Sequence, residues 1–516
     1  MISIIRRLIA QVTTPSLTGR VRGGSALFLC LFLFLACDDY DTFTTDRSSV
    51  LTFSSDSIVF DTLLATVPSS TKTLIVYNRG DKGVRINEVR LNGGHASPFR
   101  INVDGQDISR TADNRATDFE VRRRDSIIVR IEVTVPEQVS DDITKVDDIL
   151  TFTLENGMTQ QVSLIVSGRN AFFLKGTTLR ADTTFTSRRP IVVYDSLVVA
   201  PDVTLTLEAG TQLLFHDKAG LVVHGTLIAK GTLEAPVILR GDRTDHMFDY
   251  LPYDRMPNRW EGLVFTPESH DNRLDYLDLH SGSYGIRCDS TGTDALKLQL
   301  INSLIHNVGE HGLELRHCRS EVINTEVSNA QGHCAYVIGG DAQFIHCTLA
   351  RFGTLTSYGL PAVNITNQDS IGYFALDRAD FINCVVTGYA DDALLIPSLN
   401  REDMPSAAAD LPINYHFLHC FLTTEVPEDE LYADRFVNCR TDSLEADINR
   451  EKHFQVIDGH NFLYDFTPVE ASPIRGVALP TYSALYPLDR YGRSRTADDA
   501  PDAGCYEFVA TDEKNK

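Results

Sequence analysis

This 516-residue chain contains one tryptophan, Trp260, and no Cys-x-x-Cys pair, His-Glu-x-x-His or Gly-x-Ser-x-Gly. Those absences remove the sequence signatures of zinc ribbons, helical metalloproteases and serine-type esterases. No glycine loop of the phosphate-cradling kind is present either. Basic residues are scarce beside acidic ones, 47 against 70, for a formal charge of −23. Arg6, Arg7, Arg20 and Arg22 all precede residue 37 with no acid among them, so the remainder is more negative still. Net charge therefore gives no attraction to nucleic acid or to an anionic bilayer. It suits a cation, a neutral glycan or a basic partner, and it keeps an exported protein soluble. Hydrophobic residues at 43% and charged residues at 23% exclude a disordered chain, and the length exceeds one compact domain.

The apolar run Ala26 to Leu35 is too short to span a bilayer. It ends in Phe34-Leu35-Ala36-Cys37. The segment 1–36 resembles a bacterial lipoprotein signal peptide, with Phe34 where leucine is usual. The resemblance implies lipidation of Cys37 by palmitate-like chains, and several acyl chains anchor a domain firmly where one binds marginally. Asp38 and Asp39 resemble the surface-export signal of lipoproteins from the Bacteroidetes; in enterobacteria an aspartate here resembles an inner-membrane retention signal. The repeats below favour the first, which implies a lipid anchor in the outer membrane, on its outer face, with 37–47 as an acylated tether.

Residues 48–172 alternate with a period of two. Ile127, Val129, Ile131, Val133 and Val135 form one such series, and Asn156-Gly157 marks a hairpin between two others. Short alternating strands of this kind predict a β-sandwich. Leu74-Ile75-Val76-Tyr77-Asn78 and the closing Val162 to Gly168 resemble Ig-like domains of the hydin and abnormal-spindle type.

From there the pattern becomes a repeat. Leu300-Ile301-Asn302-Ser303 returns around Asn324, His346, Asn383, His419 and Asn438, at steps of 22, 22, 37, 36 and 19 residues. A period near twenty with insertions defines a solenoid. Gly-Thr pairs at 210–211, 225–226 and 231–232 punctuate apolar strands. Together these segments resemble a right-handed parallel β-helix of the pectate-lyase-like kind over 173–464. The fold expected is all-β: an N-terminal Ig-like β-sandwich followed by a right-handed parallel β-helix. Ile286, Leu313, Tyr336, Val363 and Leu394 are read as one inward column, and Cys288, Leu315, Ile338, Ile365 and Ile396 as the next. The Asn/His column lies at a turn and is structural. Cys347, Cys384, Cys420 and Cys439 share one repeat position and read as small buried hydrophobes, not as a disulfide framework. Residues 465–516 resemble the C-terminal segment that closes the open end of secreted β-helices, where bare strand edges need cover.

Candidate chemistry lies at the turns before the inward columns. Glu310, His333, Asp391 and Asp392 fall at aligned turn positions on coils about 4.8 Å apart. Carboxylates and imidazole on one face suit acid–base catalysis or a divalent cation such as calcium. Solvated turn residues are the competing structural reading. Asp391-Asp392 resembles the paired aspartates of polygalacturonase-type glycosidases, but the Asn-Thr-Asp and Gly-His-Gly elements of that family are missing. A second set, Phe248, Tyr250, Tyr253 and Trp260, sits in or beside the insertion 241–259 and offers faces for sugar rings; packing over the solenoid is the structural alternative. The function expected is a cell-surface lipoprotein that binds glycan without catalysis. The alternatives are a polysaccharide lyase or glycoside hydrolase, and a structural or adhesive spacer. The partners expected are the outer membrane through the anchor and a polysaccharide, with no nucleic acid.

Overall fold

The computed structural model describes residues 42–510, except 112, 187–188, 249, 356–358, 401–404, 407, 443–448 and 498–499. Cys37 and the signal segment lie outside the described residues. The described chain divides into two compact units: residues up to 56 with 72–131 and 149–163, and residues 57–71 with 132–148 and 164 onward. Among the described residues no helix is long and apolar enough to cross a membrane.

The first unit is antiparallel. Lys72–Tyr77 pairs with Ser126–Val133, and Val84–Leu91 is flanked by Arg115–Val121 and Thr144–Leu154. Alternation places Leu74, Val76, Val129, Ile131, Leu150 and Phe152 wholly out of solvent, while Thr73, Ile128 and Arg130 face away. These are the sheets of an Ig-like sandwich, as the period of two predicts.

The second unit is a parallel β-helix. Three ladders run along it, each strand pairing in register with the equivalent strand of the next coil. One has ten strands, from Thr183–Phe185 to Phe436–Val437. A second includes Leu277–His280, Leu304–His306, Glu326–Ser328 and Thr348–Arg351. A third includes Ile286–Cys288, Leu313–Arg316, Ala335–Ile338 and Val363–Thr366. The interior is a continuous apolar column, with Phe344, Phe381, Phe417 and Phe436 stacked at centroid spacings of 4.5, 4.8 and 5.3 Å. Each ring needs its neighbours to exclude water, which is why the repeats are stable only as a stack. The eight described cysteines are free, and seven of them are buried.

The Asn/His column explains itself through backbone geometry. Asn302, Asn324, His346, Asn383, His419 and Asn438 all have φ between 50° and 56°. Asparagine and histidine are the side chains that best tolerate this left-handed region. Their side chains also bond along the column, with Asn324 Nδ2 donating to Asn302 Oδ1 at 2.6 Å. The Gly-Thr turns have a steric cause: a Cβ on Gly225 would lie 2.1 Å from the Val203 carbonyl.

Two features differ from the sequence reading. Leu313 pairs with Ala335, so the inward columns run Ile286, Leu313, Ala335, Val363, Leu394 and Cys288, Leu315, Val337, Ile365, Ile396. Tyr336 faces outward beside Glu314 and Asn364. A one-residue slip moves a strand's side chains to the opposite face, and Tyr336 is as apolar in pattern as Ala335. The C-terminal segment, moreover, packs along the flank of the coils. His419, Asn383, His346 and Asn324 bond in turn to Val477, Leu479, Ser483 and Leu488. Docking along this column gives the segment a role that end closure does not imply.

Candidate functional site

The sequence candidates are placed as follows. The corrected register stacks His311 on His333, with ring centroids 5.2 Å apart and planes within 2°, and Tyr336 packs against both. His333 is further held by the Pro361 carbonyl at 2.8 Å and by Asn364. Burial, the neighbouring His333 and Arg287 push His311 down to about 4. Glu310 turns away to pair with Arg287. Asp391 and Asp392 are exposed, and Asp392 accepts the Leu394 backbone N–H at 2.9 Å. Glu310 therefore stands in a different column from His333, because the slip at Ala335 moves His333 alongside His311.

Trp260 belongs to the core. It is 1% exposed, stacks on Phe215 at 4.3 Å and donates its indole N–H to the His280 carbonyl. The Tyr253 ring carries the Arg243 guanidinium 3.8 Å from its centroid, with that of Arg259 at 5.5 Å. Phe248 and Tyr250 remain exposed at 53% and 46%. Their rings stack at 5.7 Å with planes 10° apart, and His460 continues the stack on Tyr250 at 4.6 Å. These are open aromatic faces held by one another.

Next to that strip in the chain, Arg255 and the residues Phe462–Asp465 line a cleft of about 300 Å³. Its floor is the second ladder. Leu277 and Leu279 point into the core, so Asp278 and His280 point out, and register sets His280 beside His306 and Leu304 beside Glu326. Its far wall is the C-terminal segment, through Arg490, Tyr491 and Tyr506. His280 lies between two acids: Nδ1 is 2.8 Å from Asp278 Oδ1 and Nε2 is 3.0 Å from Asp254 Oδ1. Asp254 also pairs with Arg240. His306 Nε2 lies 3.4 Å from Asp278 Oδ1. Burial alone would lower the His280 pKa, but Asp278 and Asp254 raise it to about 9. Burial likewise opposes charge on Asp278, yet the two imidazoles hold its carboxyl well below the usual range. Deeper in, Glu326 accepts from Tyr506 at 2.5 Å and from Ser328 at 2.6 Å, and burial with that carboxylate pushes the Tyr506 hydroxyl well up. Arg490 reaches the same hydroxyl at 3.4 Å.

None of these cleft residues stands out in the linear sequence. The structure shows one regularity: His280 and His306 each follow a left-handed turn residue, Tyr276 and Asn302, by four positions. Among the described residues, Asp278, His280 and His306 form a group that could hold a metal ion, their donor atoms all lying within 4.8 Å of one another.

No protein-family model matches this chain, and a search of curated proteins finds no match. Among solved structures, the ASH / PapD-like domain of human CEP192 aligns over 31% of this chain and 97% of its own length, at 13% identity and a TM-score of 0.16. A protein of unknown function from Porphyromonas gingivalis aligns over 26% of this chain and 60% of its own length, at 14% identity and a TM-score of 0.16. At these scores neither likeness bears on what the chain does.

Proposed function

We propose that this protein is a lipid-anchored surface lipoprotein of the outer membrane that binds a polysaccharide through the aromatic strip and the adjoining cleft. The observation that carries the reading is the exposed stack of Phe248, Tyr250 and His460 beside a cleft rich in carboxylate, imidazole, guanidinium and phenol groups. Apolar ring faces cover the C–H face of a sugar, and fixed polar groups orient its hydroxyls. An acidic body suits a neutral or cation-bridged glycan better than a polyanion.

A screen of neutral and acidic polysaccharides against the form lacking residues 1–37 tests this by calorimetry. Binding is expected, weakened about tenfold or more in F248A/Y250A. Undiminished binding in that variant, or silence across all glycans, overturns the reading and leaves the adhesive spacer. Cleavage is the second reading, favoured by Glu326, Tyr506 and Arg490 in one pocket. Release of reducing or unsaturated ends in the same screen, lost in E326Q, establishes it.

A further inference from the structure

The cleft floor holds a group that glycan binding does not require. Asp278 and His280 are two residues apart on one strand, so both side chains emerge on the same outward face. His306 comes from the next coil at the register position of His280. The donor pairs measured are 2.8 Å for Asp278 Oδ1 to His280 Nδ1 and 3.4 Å for Asp278 Oδ1 to His306 Nε2. A tetrahedral ion with ligands near 2.0–2.1 Å separates its donors by roughly 3.3 Å. The two separations from Asp278 thus bracket that of ligands on one small ion, and all three donors lie within 4.8 Å of one another on adjacent paired strands.

The outer groups complete the arrangement. A metal-ligating histidine characteristically donates its second ring nitrogen to a carboxylate, which fixes its tautomer and orientation. His280 Nε2 has that partner in Asp254, 3.0 Å away, and Asp254 is itself held by Arg240. A fourth direction opens to the cleft. Two imidazoles and one carboxylate match a borderline transition ion; calcium prefers six to eight oxygens. This differs from the calcium expected at the turns, because the donors that converge here include nitrogen.

We propose that Asp278, His280 and His306 form a binding site for one divalent transition-metal ion of the zinc class, with an open coordination position facing the cleft. Three protein ligands and one open position are the arrangement of sites at which a metal engages an outside ligand, as opposed to closed structural sites. The inference stands apart from glycan binding, since every donor belongs to the chain.

The test uses the full untagged chain in detergent, stripped with EDTA and titrated with Zn²⁺ against a chromophoric chelator. One ion per chain is expected, with affinity falling about tenfold to a hundredfold in D254N and further in H306A. H416A, a histidine of the ten-stranded ladder paired with Asp380, should bind like the wild type. Co²⁺ titrated into the wild type should give the visible absorption of four- or five-coordinate cobalt, a readout that needs no variant to fold. Stoichiometry well below one ion, equal affinity in H306A, or a weak six-coordinate cobalt spectrum overturns the site. Millimolar Ca²⁺ displacing the zinc does so as well.

Discussion

Two pairs of histidine rings meet on neighbouring coils of this solenoid, and His311 and His280 end in opposite states. His311 and His333 lie 5.2 Å apart, and His280 and His306 lie 4.7 Å apart. His311 and His333 sit at the turns that lead into Leu313–Arg316 and Ala335–Ile338, whereas His280 and His306 are register partners within the second ladder. The first pair packs against a tyrosine and near arginines, so burial wins and His311 is held neutral to about pH 4. The second pair shares Asp278, with Asp254 on the far side of His280, and that imidazole stays charged to about pH 9. Coil stacking brings like side chains together, and their charged neighbours, from the strands and from insertions alike, decide their chemistry. Asp254 comes from the insertion 241–259 and is the clearest instance.

The most disruptive way to break this contrast is D278N. It strands a buried imidazolium with one acid where it had two, at a cost of about 3 kcal/mol. Denaturant melts at pH 7 in EDTA measure that loss. The sign with pH follows from linkage. A raised His280 pKa gives stability that is fully present below pH 6.5 and lost as pH rises to about 9. In D278N that alkaline limb should flatten, and an unchanged limb would show that Asp278 does not hold the charge.

The neutral pair predicts the opposite limb. An unfolded chain protonates its histidines near pH 6.5, while folded His311 resists to about pH 4. Stability should therefore fall between pH 6.5 and 4 and level off below, by about 2 kcal/mol for His311 after allowance for its partial exposure. Buried His333 and His346, also shifted down by burial, act in the same direction. Melts of H311Q against wild type should show a shallower acid limb. A smaller change sharpens the comparison further. Y336E places a carboxylate where the ring meets both imidazoles, at about 1 kcal/mol in lost aromatic contact. The His311 proton resonances should then titrate at least one pH unit higher. No upward movement would mean that ring packing, not the missing carboxylate, sets the low value.

Much of the scaffold is legible in the sequence because repetition is a one-dimensional signal. The Asn/His column and the phenylalanines two residues before it mark coils directly. The register at Ala335 was not legible: Ala335-Tyr336-Val337-Ile338 is apolar throughout, so alternation alone does not choose which face turns in. The Ig-like unit was readable for the opposite reason, since Ile127 to Val135 alternates cleanly. The candidate cleft is hidden because its residues come from five distant stretches: 254–255, 278–307, 326–329, 462–465 and 490–506. No spacing rule ties the C-terminal wall to the coils, and only the docking of that segment on the Asn/His column brings Tyr506 to Glu326. Trp260 is ambiguous for a general reason: a lone tryptophan at the end of an insertion suits a sugar platform and a core plug equally well by sequence.

A third stacked histidine completes the comparison and carries the smallest effect on folding. His460 lies 4.6 Å from Tyr250, which stacks in turn on Phe248, and all three are exposed. Neither deep burial nor an acid clamp acts on them, so their contacts exchange freely with water and contribute little to stability. F248A/Y250A should shift the unfolding free energy by less than about 0.5 kcal/mol per residue, the range for surface sites without a special role. By the same argument folding alone does not account for these open, stacked rings. Melting curves that overlay the wild type, together with a loss of glycan binding, would assign the strip to recognition. A destabilisation of about 2 kcal/mol would show instead that the rings cover the solenoid wall, as Trp260 does from within.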